Sequence, residues 1–309
     1  MKHIFIVNPL AGKGRDPDVF HRQVEEAFLA EGLEYIFFVT AKENEAITIA
    51  QTMAQDYPEE SLRFYACGGD GTANEVLQGI YGRDNCQLAI VPHGSGNDFL
   101  KNFENSHLFS DLSAQIAGEP IKVDILTANE YYALNLINIG MDGDTGFYKK
   151  KFQGLPGISG AMAYNLALVY CFFQRYGIMA EIEVDGKLVL SPKGYVLTAF
   201  GNGTTYGGGY RATPEAIIDD GIIDVCLCRL VSRLTILRYL PIFKKGLHVG
   251  HPGLEDIFYY GKHQRIRFKS DQELHICLDG EFFDAKEVKI GIEKSALNFL
   301  LPQGVKKKE

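Results

Sequence analysis

Three glycine-rich turns each stand directly behind a short apolar run, and they constrain this chain more than any other feature. The first is Asn8-Pro9-Leu10-Ala11-Gly12-Lys13-Gly14-Arg15, behind residues 2–7. The second, Gly68-Gly69-Asp70-Gly71-Thr72, follows residues 62–67, and the third, Pro92-His93-Gly94-Ser95-Gly96-Asn97-Asp98, follows residues 87–91. Between them lie helical periods. Residues 17–31 carry Phe20, Val24, Ala27 and Phe28 on one face, with Asp16 as N-cap, Pro17 in the first turn and Gly32 beyond the end. A strand over 34–40 leads to a helix that Thr40-x-x-Glu43 opens as a capping box, with Ala46, Ile49, Ala50, Met53 and Ala54 inward. Ala73, Val76, Leu77 and Ile80 form the apolar face after the second turn. Such alternation predicts a parallel sheet covered by helices, whose ligands bind at the carboxyl ends of the strands.

Beyond Pro120 the rhythm changes to strand-like runs joined by tight turns, at 121–126, 131–139, 182–184, 188–190, 195–201, 223–228, 265–268, 275–279 and 288–292. Asp185-Gly186 is a hairpin signal, and this half is expected to be antiparallel. Residues 161–176 and 234–243 are expected helices, the second limited by Pro241. The apolar stretch 161–173 and the glycines of 154–160 would suit a lipid entrance, but an apolar helix is more often core, and core is the preferred expectation. At 309 residues the chain exceeds the usual length of one core, so two domains are expected.

With 31 basic against 39 acidic residues the formal charge is −8, which offers no global field for a polyanion and argues against nucleic acid as partner. Local clusters at Lys149, Lys150 and Lys151, at Lys244 and Lys245, and at Lys306, Lys307 and Lys308 would touch an anionic membrane if they are more than solvated surface. The longest apolar run, 166–173, is far below the roughly 20 residues of a spanning helix, and residues 4–7 are too short for a signal-peptide core. The expected location is cytoplasmic. Cys67, Cys86, Cys171, Cys226, Cys228 and Cys277 show no CxxC or zinc spacing and are expected to be buried and free.

The turns match neither a GxGxxG fingerprint, since Pro17 or Phe99 stands where the third glycine belongs, nor GxxxxGK[ST]. Glycines so placed let backbone N–H groups approach a phosphate at a helix N-terminus. Three glycines in the GGDGT pattern arise by chance in roughly one chain in ten at ~7% glycine. The meaning therefore rests on three such turns following neighbouring strands. His248 and His251 are three apart, but Gly246, Gly250 and Pro252 favour a loop over a metal site. Asp279 and Glu281, two apart across Gly280, would face one cleft at a strand end, or stand solvated on an Asp-Gly hairpin.

Taken together, NPLAGKGR (8–15), GGDGTANEV (68–76), PHGSGNDF (92–99), GNGTTYGGG (201–209), PEAIIDDG (214–221) and DGE (279–281) resemble, in order and over nearly the whole chain, the diacylglycerol kinase catalytic-domain family shared with sphingosine kinases and soluble bacterial lipid kinases. Ser95 stands where many members carry threonine, and His93 is less typical. The resemblance implies an N-terminal α/β nucleotide domain over 1–122, completed by 296–309, and a C-terminal β-sandwich domain over 123–295. It implies ATP between the domains, held by Asn8, Pro9, Leu10, Ala11, Gly12, Thr40, Gly68, Gly69, Asp70, Gly71, Thr72, Ala73, Asn74 and Ser95. It also implies Mg²⁺ at Asp220 with the carbonyls of Ile217 and Ile222. The family points to Glu281 as proton acceptor with Asp279 beside it, although the sequence does not separate the two, and Asp70 and Asp124 are second-rank candidates for metal-water or phosphate-side roles. The expected activity is phosphorylation of a lipid hydroxyl, most simply diacylglycerol, at a transiently contacted membrane surface. An NAD kinase, which also uses GGDGT, and a non-catalytic lipid or nucleotide sensor are the rivals. Neither headgroup preference nor oligomeric state, homodimer included, is fixed by the sequence.

Overall fold

The computed structural model describes residues 1–11, 16–94, 96–153, 155, 156, 158, 160–174, 176–207 and 209–308. The chain forms two compact units, Met1–Ile125 with Lys294–Glu309, and Leu126–Glu293. The boundaries expected from the sequence lay at 122/123 and 295/296.

The first unit runs β1 (Lys2–Val7), α1 (Pro17–Ala30), β2 (Tyr35–Val39), α2 (Glu45–Asp56), β3 (Leu62–Gly68), α3 (Asp70–Ile80), β4 (Cys86–Pro92), β5 (Phe103–Glu104), α4 (Leu112–Ile116) and β6 (Glu119–Ala128), the last three residues of β6 passing into the second unit. Strands β2, β1, β3 and β4 lie side by side in parallel, and residues 298 and 299 add a further parallel neighbour beside β4. Most other pairings in the chain are antiparallel. The Asp16 carboxylate accepts the Asp18 N–H at 2.9 Å and caps α1. Phe20, Val24 and Phe28 of that helix pack on the sheet, where Phe5 stacks on Tyr65 at 4.3 Å and meets Phe28 edge-on. Each such aromatic contributes about 2 kcal/mol of burial.

The capping box does not form. The Thr40 N–H and hydroxyl both donate to the Val7 carbonyl, at 2.9 and 3.3 Å, so the residue finishes the β1–β2 pairing and its oxygen is drawn away from the helix. Helix α2 instead starts at Glu45, behind Asn44 in a left-handed conformation.

The second unit holds β7 (Tyr131–Ala133), β8 (Leu136–Gly140), α5 (Met141–Gln153), α6 (Gly160–Gln174), β9 (Ile178–Val184), β10 (Lys187–Gly201), β11 (Ile223–Arg229), α7 (Arg233–Lys244), β12 (Phe258–His263), β13 (Arg265–Leu278) and most of β14 (Glu281–Leu301). The first unit ends with β15 (Lys306–Lys307), antiparallel to β5. The order β12-β11-β10-β8-β13-β14 is antiparallel throughout, and β9 pairs with both β10 and β13. Alternate residues feed two cores. Ile137, Ile139, Val225 and Leu227 face one, while Leu136, Cys226, Cys228, Phe243 and Phe258 belong to the other, which α7 covers. Burial on both faces explains why β11 is apolar almost without interruption.

Several expected elements change extent. The run 131–139 breaks into β7 and β8, because the N–H groups at 134 and 135 turn to a carboxylate instead of a neighbouring strand. The two runs at 265–268 and 275–279 are one strand, continuous through an irregularity between Lys269 and Leu274 that its polar residues disguise. Those at 188–190 and 195–201 likewise merge in β10. Helix α5 and strand β12 were not expected at all. Residues 161–173 are only half core: Ala163, Ala167 and Cys171 are buried, but Met162, Leu166, Val169 and Phe173 are exposed. Asp185 and Gly186 both have positive φ, as the hairpin signal requires. All six cysteines are buried and free.

Candidate active site

In the first unit the glycine turns are tied to one another. Asn8 donates from Nδ2 to the Thr72 hydroxyl at 3.3 Å, and its own Oδ1 accepts the Leu10 N–H at 3.0 Å, which fixes the turn after β1 against the start of α3. The N–H groups of His93 and Gly94 donate to the Gly68 carbonyl at 2.8 and 3.0 Å. The Asp98 N–H donates to Asp70 Oδ1 at 2.7 Å, joining the turn after β3 to the turn after β4. Contact is close enough to demand glycine, since a Cβ on Gly94 would lie 2.5 Å from the Gly69 Cα. A Cβ on Gly68 would strike the Thr72 side chain, and one on Gly96 the Asp70 carboxylate.

The result is a backbone-lined cradle at the N-terminus of α3. Gly69 is the N-cap there and supplies no side-chain acceptor, so the first-turn N–H groups point out of the helix as an anion site does. Around it, Thr72, Ala73 and Asn74 are buried, Pro9 and Ala11 are half-buried, and Leu10 is exposed. Thr40, directly after β2, has its hydroxyl on the carbonyl of Val7, the last residue of the strand that leads into Asn8. Gly12 and Ser95 lie outside the described residues. Asp124 is fully buried in the first unit, where Oδ1 accepts the Ser295 N–H at 2.7 Å.

In the second unit the geometry separates the two carboxylates of Asp279-Gly280-Glu281. Asp279 and Gly280 both have positive φ and form the two-residue turn between β13 and β14, with Leu278 opposite Glu281. The Asp279 carboxylate accepts the N–H groups of Leu134, Asn135 and Leu136, at 2.6 to 3.3 Å, and so holds the β7–β8 break against this turn. Glu281 is about a third exposed and receives Lys150 Nζ of α5 at 2.8 Å. One carboxylate is thus engaged by the backbone, and the other stands open to solvent beside a cation. The sequence had flagged Lys150 only as part of a basic run.

The Asp220 Oδ1 accepts the Ile222 N–H at 2.9 Å, so the loop 217–222 turns about this carboxylate. One carboxylate and two main-chain carbonyls, Ile217 and Ile222, are hard oxygen donors of the kind Mg²⁺ takes with water completing its shell. The donor set therefore fits the cation. No group of three or more His, Cys, Asp or Glu side chains with metal-site geometry occurs among the described residues. His248 and His251 are not one site: His248 Nε2 faces the Ala212 carbonyl at 3.1 Å, with burial lowering its pKa to about 4, whereas His251 Nδ1 faces Pro252 O.

Sequence reasoning also missed a cluster at the N-terminal end of α5. His275 stacks on Phe147 at 4.0 Å, pairs through Nδ1 with Asp284 at 2.7 Å, and has Nε2 3.9 Å from the buried Asp144. A cavity of about 230 Å³ beside it is lined by Gly140, Asp144, Gln174, Tyr176, Gln272 and His275, among others. Asp142, at the start of the same helix, has both carboxylate oxygens sealed from water. Burial raises its pKa to about 7 although the Tyr206 hydroxyl acts in the opposite direction.

Two family models match the chain. One, described as the diacylglycerol kinase catalytic domain, covers residues 2–128, and the other, the YegS C-terminal NAD kinase beta sandwich-like domain, covers 136–301. A protein named diacylglycerol kinase from Staphylococcus aureus (strain JH9) is 28% identical over 284 residues, 90% of this chain and 85% of the relative. A crystal structure of a diacylglycerol kinase from Bacillus anthracis strain Sterne superposes with a TM-score of 0.68 at 20% identity, over 98% of this chain and 97% of that one. Another structure from the same strain reaches 0.74, also at 20% identity, over 99% and 98%. With both models in sequence order and the cradle and the Asp-Gly-Glu turn in their matched regions, the chain belongs to the diacylglycerol kinase catalytic-domain family, with a second domain of the YegS C-terminal type.

Proposed function

We propose that the chain is an ATP- and Mg²⁺-dependent lipid kinase that transfers the γ-phosphate to a lipid hydroxyl, with diacylglycerol as acceptor and phosphatidic acid as product. The observation that carries this reading is the cradle of the first unit, where three turns are stitched by Asn8–Thr72 and Asp70–Asp98 around the open N-terminus of α3. Such a site binds phosphate oxygens by N–H groups and helix charge. Asn8 to Ala11, Gly68 to Asn74 and Thr40 are its residues in this reading. Gly12 and Ser95 join them by resemblance. Asp220 with the Ile217 and Ile222 carbonyls would hold Mg²⁺, which when bound supplies positive charge against the phosphates.

The chemistry needed from the protein is then positioning and one proton transfer. The acceptor oxygen bonds to the γ-phosphorus, the bond from that phosphorus to the ADP oxygen breaks, and the hydroxyl proton passes to Glu281. Lys150 at 2.8 Å orients the Glu281 carboxylate. Asp279 is the positioning residue, because its oxygens already accept three N–H groups and their loss would release the turn that presents Glu281. Transfer of labelled phosphate from ATP with Mg²⁺ to a lipid panel in mixed micelles, with NAD as a soluble acceptor, tests the reading. Label is expected on diacylglycerol and should fall by roughly 10² to 10⁴ in Glu281→Gln. Label on NAD alone, or on nothing while ATP binds, refutes it.

A further inference from the structure

Helix α6 is built inside out for a water-facing helix. Its buried positions are the small residues Ala163, Ala167 and Cys171, spaced four apart, all fully buried. Its large apolar residues point outward: Met162, Leu166, Val169 and Phe173 are 51, 44, 56 and 63% exposed and follow the i, i+4, i+7, i+11 spacing of a single face. Such a stripe loses hydration free energy for as long as it faces water, and a contiguous one marks an interaction surface.

The stripe continues onto α7. The Arg233 guanidinium donates to the carbonyls of Phe172 and Phe173 at 2.7 and 3.2 Å and lies over the Tyr176 ring at 4.5 Å, which locks the start of α7 to the end of α6. From there Leu234 and Leu237 of α7 stand 79 and 52% exposed, and Leu230, in the segment just before the helix, is 47% exposed. The charge carried by these two helices has one sign. Neither helix contains an aspartate or glutamate, and Arg233, Arg238, Lys244 and Lys245 are exposed along α7. The neighbouring α5, joined to α6 by the Tyr148–Tyr170 contact at 4.5 Å, adds exposed Lys151. This stands against a chain whose formal charge is −8.

The geometry points to the α6–α7 face as the surface by which this protein docks on an anionic lipid bilayer, with the apolar stripe entering the headgroup boundary and the basic residues meeting lipid phosphates. An apolar face rimmed by Lys and Arg is the composition of an interfacial helix. A second copy of the chain is the poorer partner, because a two-fold contact through this face would set its cations against the same cations. The choice of a bilayer as partner rests on the lipid-kinase reading, and the test below is read without catalysis so that the two can fail separately.

The test is cosedimentation of the full chain, without ATP, with vesicles of equal parts phosphatidylglycerol and phosphatidylcholine, and with phosphatidylcholine alone. Wild type is expected to partition onto the anionic vesicles and far less onto the neutral ones. Leu166→Glu with Val169→Glu, and separately Arg238→Glu with Lys245→Glu, should each lower the partition at least about tenfold. These residues are exposed, so circular dichroism and phosphate transfer to a short-chain, water-dispersed diacylglycerol are expected to stay as in wild type. Partition unchanged in both variants overturns the proposal. So does a wild-type dimer in light scattering that the α6 variant dissolves without any vesicle binding. If no lipid is phosphorylated and the vesicle results still hold, the kinase reading falls and the docking surface stands.

Discussion

Replacing Asp142 by asparagine should make the protein more stable, by an amount that depends on pH. Both carboxylate oxygens of Asp142 are sealed from water, and burial raises the pKa from 3.8 to about 7 against the pull of the Tyr206 hydroxyl. A carboxyl whose pKa is higher when folded keeps a proton that the unfolded chain has released. Below pH 3.8 both states are protonated and the residue costs nothing. As pH rises from there to 7, each unit takes about 1.4 kcal/mol from stability, and above 7 the loss is complete at on the order of 4 kcal/mol. The carboxamide of an asparagine would match the protonated acid in shape and never ionise. Asp142→Asn is therefore expected to gain up to about 4 kcal/mol at about pH 8, about half that near pH 5.5, and almost nothing at about pH 4. The chain has no tryptophan, so urea unfolding would be followed by far-ultraviolet circular dichroism at a series of pH values. Variant and wild-type stabilities that stay parallel across that range would refute the argument, because the buried carboxyl would then not be holding its proton.

Two further outcomes follow from the site. Gly94→Ala brings a Cβ to 2.5 Å from the Gly69 Cα, so one turn must shift, and ATP affinity measured by calorimetry should fall at least about tenfold while far-ultraviolet circular dichroism is unchanged. An unaltered affinity would mean the turn contact does not shape the phosphate site. Asp279→Ala strips three N–H groups of their acceptor and should cost about 3 kcal/mol in urea unfolding, whereas Glu281→Gln, at an exposed pair, should change stability by less than about 1 kcal/mol. Equal losses would remove the division of roles between them.

What was legible in the sequence is what depends on local chemistry. Asp16 and Pro17 start α1 as their types require, the inward faces of α1 and α3 follow their period, and Asp185-Gly186 turns because both residues accept positive φ. What was hidden depends on partners distant in sequence. The Thr40 hydroxyl could not be assigned to a strand end without knowing that Val7 lies beside it. The break between β7 and β8 is made by Asp279, more than 140 residues away. Helix α5 carries Gly143 and Gly146 and has little amphipathic contrast, yet the Cβ of residue 143 would meet the Asn138 and His275 carbonyls at about 3 Å, so that glycine permits close seating on β8 and β13. At the site, the glycine turns were visible as a set because each follows its own strand. The roles of Asp279 and Glu281 were not separable, since two carboxylates spaced by one glycine look alike until their donors are known.

The first unit is assembled from the two ends of the chain. Its sheet receives residues 298 and 299 beside β4, and its surface is closed by the Gln303 N–H on Ala114 and the Lys308 N–H on Asn102. The second unit is one unbroken segment, Leu126–Glu293. During synthesis the usual order, in which the leading domain finishes first, is therefore reversed. The ribosome delivers most of the first unit first, but that unit must wait, with one edge of β4 unpaired, until the end of β14 emerges, and by then the second unit has had its whole sequence available to fold. A nascent chain arrested before residue 298 would expose that edge for pairing with other chains, which makes the incomplete first unit the vulnerable stage of this protein's biosynthesis.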